Sequence, residues 1–237
     1  MACDPGPELY YKNQTKSAEF LAEEIRSNGG QVSICESDLS DPDMIPMLFD
    51  KAEELFGQVD ILVNNASYYK TDTFIPDAYL ETKDSKYGRF NISAIKEKTY
   101  LRHFDINTRA AALLIAEYTR RFLDKGLSEG SILNISAENT LGAKRDITYN
   151  ASKAALESYS RTAAAELARF GIRVNVIAPG AVQTGWINTD AERKILKRIP
   201  LKRLGKPEDI SACALFLCSE KASWITGQVI GVNGGSS

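Results

Sequence analysis

Apolar positions along this chain fall into two alternating kinds of segment. Val32–Glu36, Val59–Val63, Ser131–Ile135, Ile172–Ala178 and Gln228–Val232 are short runs rich in β-branched residues. They are near-continuously apolar, as the doubly covered strands of a parallel sheet are. Helix-like segments lie between them, with readable ends. Asp41-Pro42 joins an N-capping residue to proline at the first helical position, and Gly57 closes that segment. A second helix, through Ala151, Ala154, Ala155, Ala163, Ala164 and Ala165, runs to Phe170 and stops at Gly171, a residue suited to the left-handed cap. This alternation predicts an α/β fold with a parallel sheet. No repeat, linker or low-complexity tract interrupts it, so a single domain over 1–237 is expected, with 1–7 as a disordered lead.

One stretch departs from the rhythm. Residues 68–100 are polar, punctuated by Pro76 and Gly88, and show no clear strand. Long irregular segments in compact domains are usually functional. This one follows the carboxyl end of a strand, where open α/β sheets bind ligands, and is expected to be a lid or substrate loop.

Composition excludes more than it selects. The 237 residues are 43% hydrophobic and 25% charged, with a formal net charge of −2. Basic residues are scattered, and the densest patch, from Arg193 to Arg203, reads as a solvated helix face and loop. No electrostatic case exists for nucleic acid or an anionic membrane. No apolar run reaches membrane-span length, and no signal peptide opens the chain, so a cytoplasmic location is expected. Cys3, Cys35, Cys213 and Cys218 lack zinc spacing; the last two read as buried, reduced thiols, and no metal site is expected.

The chemistry concentrates at Tyr149 and Lys153. Four apart on a helix, they share one face, about 5–6 Å apart at Cβ. A neighbouring ammonium favours phenolate and is expected to lower the tyrosine pKa toward the range of a useful general acid. Tyr79 and Lys83 repeat the spacing, so context has to separate the pairs. That context is Asp38-Leu39 after the first run, Asn64-Asn65-Ala66-Ser67 after the second, and Asn107 inside the helix-like stretch Thr99–Leu123. Ser136 then ends a strand, Pro179-Gly180 with Val182 and Thr184 follows the next, and the tail carries Ile225-Thr-Gly227 and Gly231-Val-Asn-Gly-Gly235. In order and spacing these motifs resemble the short-chain dehydrogenase/reductase family from about Leu9 to Gly235, with Ser136 thirteen residues before Tyr149.

The resemblance implies a Rossmann-like doubly wound sheet and hydride transfer between a nicotinamide cofactor and a carbonyl or hydroxyl substrate. It implies Tyr149 as general acid/base, Lys153 as its electrostatic partner and ribose ligand, Ser136 as orienter of the substrate carbonyl, and Asn107 as holder of a relay water. Pro179, Gly180, Val182 and Thr184 are expected along the nicotinamide, and Asp38, Leu39, Asn64, Asn65, Ala66 and Ser67 along the adenine side. Bland readings stand beside these: strand-end turn residues for Asn64 and Asn65, a helix cap for Ser136, and a helix-surface position for His103, the single histidine.

Departures from the family pattern shape the rest. Ser67 stands where glycine is usual, and Asn233 where aspartate is. A shift of one residue would put Ala137, not Ser136, at the catalytic serine position. The family's first strand and glycine-rich turn are not found before Leu9-Tyr10-Tyr11, which reads as the end of a second strand, with Ser17–Ser27 as its helix. Loss of a central strand predicts a re-paired sheet, a loosely held segment through about Ser40, or a reading frame that is a shortened version of a longer enzyme. Lys12-Asn13-Gln14 replaces the acidic residue that NAD normally requires, which favours NADP over NAD. Tyr69, just after the Asn-Asn-Ala motif, is similar to the stacking aromatic of pteridine reductases. The expectations are therefore an NADP-dependent reductase of a small carbonyl substrate, a pteridine reductase among them, working as a homodimer or homotetramer. The alternative is a catalytically silent, reductase-like binding protein.

Overall fold

Four of the five β-branched runs build one parallel sheet. In this computed structural model residues 18–81, 86–87, 90–138, 144–185 and 187–236 are described. Strand β1 (Ile61–Asn64) is followed by four two-residue strands, β2 (Asp72–Thr73), β3 (Lys86–Tyr87), β4 (Phe90–Asn91) and β5 (Ser93–Ala94). Then come β6 (Gly130–Ile135), β7 (Ile172–Pro179) and β8 (Val229–Val232). The main sheet has the order β1-β6-β7-β8, every pair parallel. The fold is α/β and Rossmann-like, and the parallel pairs put the carboxyl ends of β1, β6 and β7 on one edge.

Alternation along the strands sorts the core into two layers. Ile132 on β6 and Ile172 and Val174 on β7 meet helices α2 (Met44–Phe56), α4 (Ala110–Asp124) and α5 (Ile147–Leu167) through Ile45, Phe49, Leu114, Ile115, Tyr118, Phe122 and Ala164. Leu133 and Ile177 point the other way, onto Leu217 of α7 (Pro207–Cys218) and Ala222. Ile132, Leu133, Val174 and Ile177 are sealed from water, and each such aliphatic side chain contributes roughly 1.5–3 kcal/mol. Arg121 fastens α4 to α2, donating to Asp50 at 2.6 Å, Glu53 at 2.7 Å and Glu117 at 2.6 Å.

Helix ends follow the expected residues, with one shift. Past α5 a 3-10 turn, Ala168–Phe170, leads to Gly171 at φ 81°. A Cβ there would stand 1.8 Å from the Ser128 carbonyl oxygen, so only glycine fits. Helix α2, however, starts at Met44, past Asp41-Pro42. The Asp41 carboxylate instead accepts the Asp43 N–H at 3.0 Å, holding a turn ahead of the helix.

Two further expectations are corrected. Val32–Glu36 makes no strand: among the described residues nothing pairs with β1 on its outer side, and Ile34 is exposed. β-branched residues without a ladder to join remain extended coil. The 68–100 stretch, in turn, does hold strands, the parallel β2–β5 pair and the antiparallel β3–β4 pair, each only two residues long. Helix α1 (Ala18–Ser27) falls where Ser17–Ser27 suggested. The lead 1–7 and the Leu9–Tyr11 strand end lie outside the described residues.

Candidate active site

The carboxyl edge of the sheet gathers the motif residues. Asn64–Ser67 leaves β1, Ser136 leaves β6, Pro179–Thr184 leaves β7, and the first turns of α5 bring Tyr149 and Lys153 alongside. Lys153 Nζ stands 5.9 Å from the centroid of the Tyr149 ring. Lys153 is sealed from solvent and donates to the Ile135 carbonyl oxygen at 2.8 Å. Burial lowers its pKa to about 8. The Tyr149 phenol moves opposite to the expected direction, upward, chiefly because burial penalises the phenolate. The nearby Ser67 hydroxyl opposes that rise, and the Asp146 carboxylate adds to it. The ammonium of Lys153 points at a backbone carbonyl, so desolvation outweighs its pull on the phenol.

Asn107 sits in a π turn, Asp105–Arg109, between α3 (Glu97–Phe104) and α4. Such turns are rare and often mark functional places. The asparagine inside a helical stretch is explained by its side chain, which reads the backbone of the neighbouring loop. Its Oδ1 accepts Tyr68 N–H at 2.7 Å and the Ser67 hydroxyl at 3.3 Å. Its Nδ2 donates to Tyr68 O at 2.9 Å and Ser152 Oγ at 3.0 Å. The start of the 68–100 stretch is therefore pinned to α5.

His103 is corrected from helix surface to site wall: it is fully buried. Its Nδ1 lies 2.8 Å from Thr99 O, and its Nε2 accepts Lys70 N–H at 3.2 Å. A carbonyl on one nitrogen and an amide on the other assign the neutral tautomer with the proton on Nδ1. Burial lowers its pKa accordingly. Its ring meets Tyr68 edge-on at 4.8 Å and lies 6.3 Å from Tyr149. Tyr69 meets Tyr149 at 4.9 Å and 90° and donates its hydroxyl to Asp146 Oδ1 at 2.8 Å. Asp72 caps the start of α5 by accepting Thr148 N–H at 3.0 Å. Asp72 and Asp146 escaped the sequence reading, although an acid at a helix start three residues before Tyr149 was a usable signal.

Ser136 is placed differently from expectation. Residues 132, 134 and 136 share the face toward α5, so the Ser136 hydroxyl turns inward and donates to Glu157 Oε1 at 2.7 Å, buried. A hydroxyl carries one proton, and this one is committed to Glu157. Ala137, the alternative at that place, has no hydroxyl. Asn64 is likewise drawn into the scaffold, donating to Asn134 Oδ1 at 2.7 Å, which in turn donates to Ser160 Oγ at 2.7 Å. The Asp38 carboxylate accepts Ser40 N–H at 2.9 Å and the Ser40 hydroxyl at 2.7 Å, and Leu39 packs into the core. Gly180 donates to Val232 O, and a Cβ there would meet Asn233 Cα at 2.8 Å. Val182 bridges to Gly205. Asn65, Ala66, Ser67 and Thr184 are exposed. Lys12 and Asn13 lie outside the described residues.

These residues fit the nicotinamide-riboside half of a dinucleotide. Of the three N–H groups on Lys153, one goes to Ile135 O, which leaves donors for ribose hydroxyls. The exposed backbone after β1 and β7 borders the same edge. No diphosphate cradle of glycine-rich turn and helix N-terminus occurs among the described residues.

The wider comparison agrees with this geometry. The family profile described as enoyl-(acyl carrier protein) reductase matches residues 2–237. A 3-oxoacyl-[acyl-carrier-protein] reductase of Staphylococcus epidermidis is 33% identical over 229 residues, covering 95% of this chain and 86% of its own. Glucose 1-dehydrogenase 2 of Bacillus subtilis is 32% identical over 230 residues, with 95% and 82% covered. Among solved structures, a 7α-hydroxysteroid dehydrogenase complexed with NADH and 7-oxo glycochenodeoxycholic acid superposes with a TM-score of 0.79 at 32% identity, covering 92% and 80% of the two chains. The chain belongs to the short-chain dehydrogenase/reductase family. It is an oxidoreductase of the NAD(P)-dependent kind.

Proposed function

We propose that this protein reduces a small carbonyl substrate with NADP(H), and that Tyr149 supplies the proton. The nicotinamide, when bound, supplies the hydride. Tyr149 holds a proton at its phenol oxygen beside the strand ends; Lys153, buried and fixed to Ile135 O, directs positive charge and two further N–H donors along the same edge. Asn107 keeps Tyr68 in place and Tyr69 walls the substrate side. The single observation that carries this reading is the buried Lys153 held beside Tyr149 with donors to spare. Ser136, its proton held by Glu157, serves as a strut between β6 and α5 in this account.

The phosphate preference rests on Lys12 and Asn13, whose cation and amide suit a 2′-phosphate. Isothermal titration with NADPH and NADH tests it: NADPH binds more tightly, and tighter NADH binding overturns the preference. NADPH oxidation with a panel of diketones, pterins and acetoacetyl thioesters tests the reaction, a homodimer or homotetramer in the cytoplasm being the expected working form. The rival, silent reading draws on the lack of a glycine-rich phosphate cradle among the described residues and on the committed hydroxyl of Ser136; no turnover across the panel and no nucleotide binding would favour it.

A further inference from the structure

Two carboxylates meet the start of α5, and the one at the cap position does not cap it. Aspartate is among the best N-capping residues because its side chain accepts an orphan N–H of the first turn. Asp146 occupies that place, yet its side chain makes no capping hydrogen bond. Asp72 of β2 takes the Thr148 N–H instead, at 3.0 Å. The Asp146 carboxylate turns to the Tyr69 hydroxyl, which it accepts at 2.8 Å. The Tyr69 ring in turn stands against the Tyr149 ring at 4.9 Å and 90°, the edge-to-face arrangement that aromatic pairs favour. We propose that Asp146 and Tyr69 are positioning residues for Tyr149, a brace that returns to the helix from which it starts; this rests on Tyr149 being the proton donor.

The brace closes on itself. Asp146 lies three residues before Tyr149, at the cap of the same helix, and its carbonyl oxygen accepts Asn150 N–H at 2.9 Å. From its carboxylate the path runs through the Tyr69 hydroxyl and ring back to the Tyr149 ring. The chain is also fixed on both sides of Tyr69. Asn107 holds both backbone groups of Tyr68, and Asp72 N–H donates to Arg145 O at 3.2 Å. Other neighbours of the Tyr149 ring stand farther off: the His103 ring at 6.3 Å, and Lys153 Nζ, fixed to Ile135 O, at 5.9 Å. Tyr69 is the nearer support. A proton donor must come within hydrogen-bond reach of the atom it serves, and a misplacement of about 1 Å costs about a hundred-fold in rate. Tyr69, tied to α5 through Asp146, restrains the Tyr149 ring before substrate arrives.

Three variants of the full chain test it. Tyr69→Phe keeps the ring and removes only the hydroxyl, Asp146→Ala removes the acceptor, and Asp146→Asn keeps one. In single-turnover NADPH oxidation, Tyr69→Phe and Asp146→Ala are each expected to lower the rate about tenfold, short of the full penalty because the ring contact survives. NADPH binding should stay within about twofold of wild type, and Asp146→Asn should recover the rate to within about threefold. Because the two residues act as one unit, the double variant Tyr69→Phe/Asp146→Ala should be no slower than either single one. Fluorine NMR of the chain labelled with fluorotyrosine reads the ring independently of turnover, the Tyr149 signal being assigned by its loss in Tyr149→Phe. That signal should move toward its position in urea in Tyr69→Phe and Asp146→Ala, and stay in place in Asp146→Asn. An unmoved signal, a rate that Asp146→Asn does not recover, or losses that multiply in the double variant overturns the proposal. Full turnover in Tyr149→Phe, or none in the wild type, would instead remove the proton-donor reading, and the fluorine signal would still report whether the brace holds the ring.

Discussion

Replacing Asn107 with alanine removes the peg that holds the 68–100 stretch to α5. Four hydrogen bonds go: from Tyr68 N–H at 2.7 Å, to Tyr68 O at 2.9 Å, to Ser152 Oγ at 3.0 Å and from Ser67 Oγ at 3.3 Å. The two serine hydroxyls are not stranded: Ser152 keeps its bond to Tyr149 O at 2.7 Å, and Ser67 is exposed to solvent. The two Tyr68 backbone groups are stranded, and each unsatisfied group costs about 1–3 kcal/mol when buried. Both bonds are only partly buried, so the lower half of that range applies, and the sum is about 3 kcal/mol. For a chain of this size that lowers Tm by about 6–12 °C. Urea unfolding read by tryptophan fluorescence measures it, with the m-value expected to stay constant. A loss under about 1 kcal/mol would refute the claim that Asn107 carries the loop.

Three more outcomes follow from the geometry. Ser136→Ala should lower turnover by less than about tenfold, well short of the hundred-fold typical of a lost oxyanion donor, and should lower stability by leaving Glu157 buried without its donor; a hundred-fold fall in turnover would reinstate Ser136 as the substrate's partner. Lys153, at about 8 in the fold, binds fewer protons than in the unfolded chain between pH 8 and 10.5, so its contribution to stability rises with pH through that window. Wild type minus Lys153→Met in urea melts at pH 7.5 and 9.5 should show that slope, and a flat difference contradicts it. Arg121→Ala should cost about 2 kcal/mol, since Glu53 and Glu117 keep Lys125 and Arg120 as partners. It should also flatten the acid side of the stability curve. Arg120 and Arg121 hold Glu117 at about 2, down from 4.5, so that stability is present above pH 4.5 and lost as pH falls toward 2; an unchanged acid limb in urea melts from pH 2 to 6 contradicts it.

Much of this architecture is legible in the amino-acid sequence. Four β-branched runs became the sheet because each is apolar on both faces, and Gly57 and Gly171 ended helices because both sit at positive φ. Val32–Glu36 failed because strand propensity has no effect without a partner to pair with. His103 was misplaced because it belongs to a helix whose neighbour, the Tyr68–Lys70 backbone, arrives from far along the chain. The inward turn of Ser136 depends on strand parity: spacing to Tyr149 is blind to it, whereas alternation from Ile132 through Asn134 shows it. The phenol's pKa went the other way because motif reasoning counts charges and omits desolvation, and burial is the larger effect at Tyr149.

The central claim is that Tyr149 gives the proton while the fold around it binds the nucleotide. Single-turnover NADPH oxidation with the best carbonyl substrate, compared between wild type and Tyr149→Phe, tests it most directly. The account predicts that the Phe variant binds NADPH within about twofold of wild type and loses at least about a hundred-fold in rate. An undiminished rate in Tyr149→Phe would contradict it.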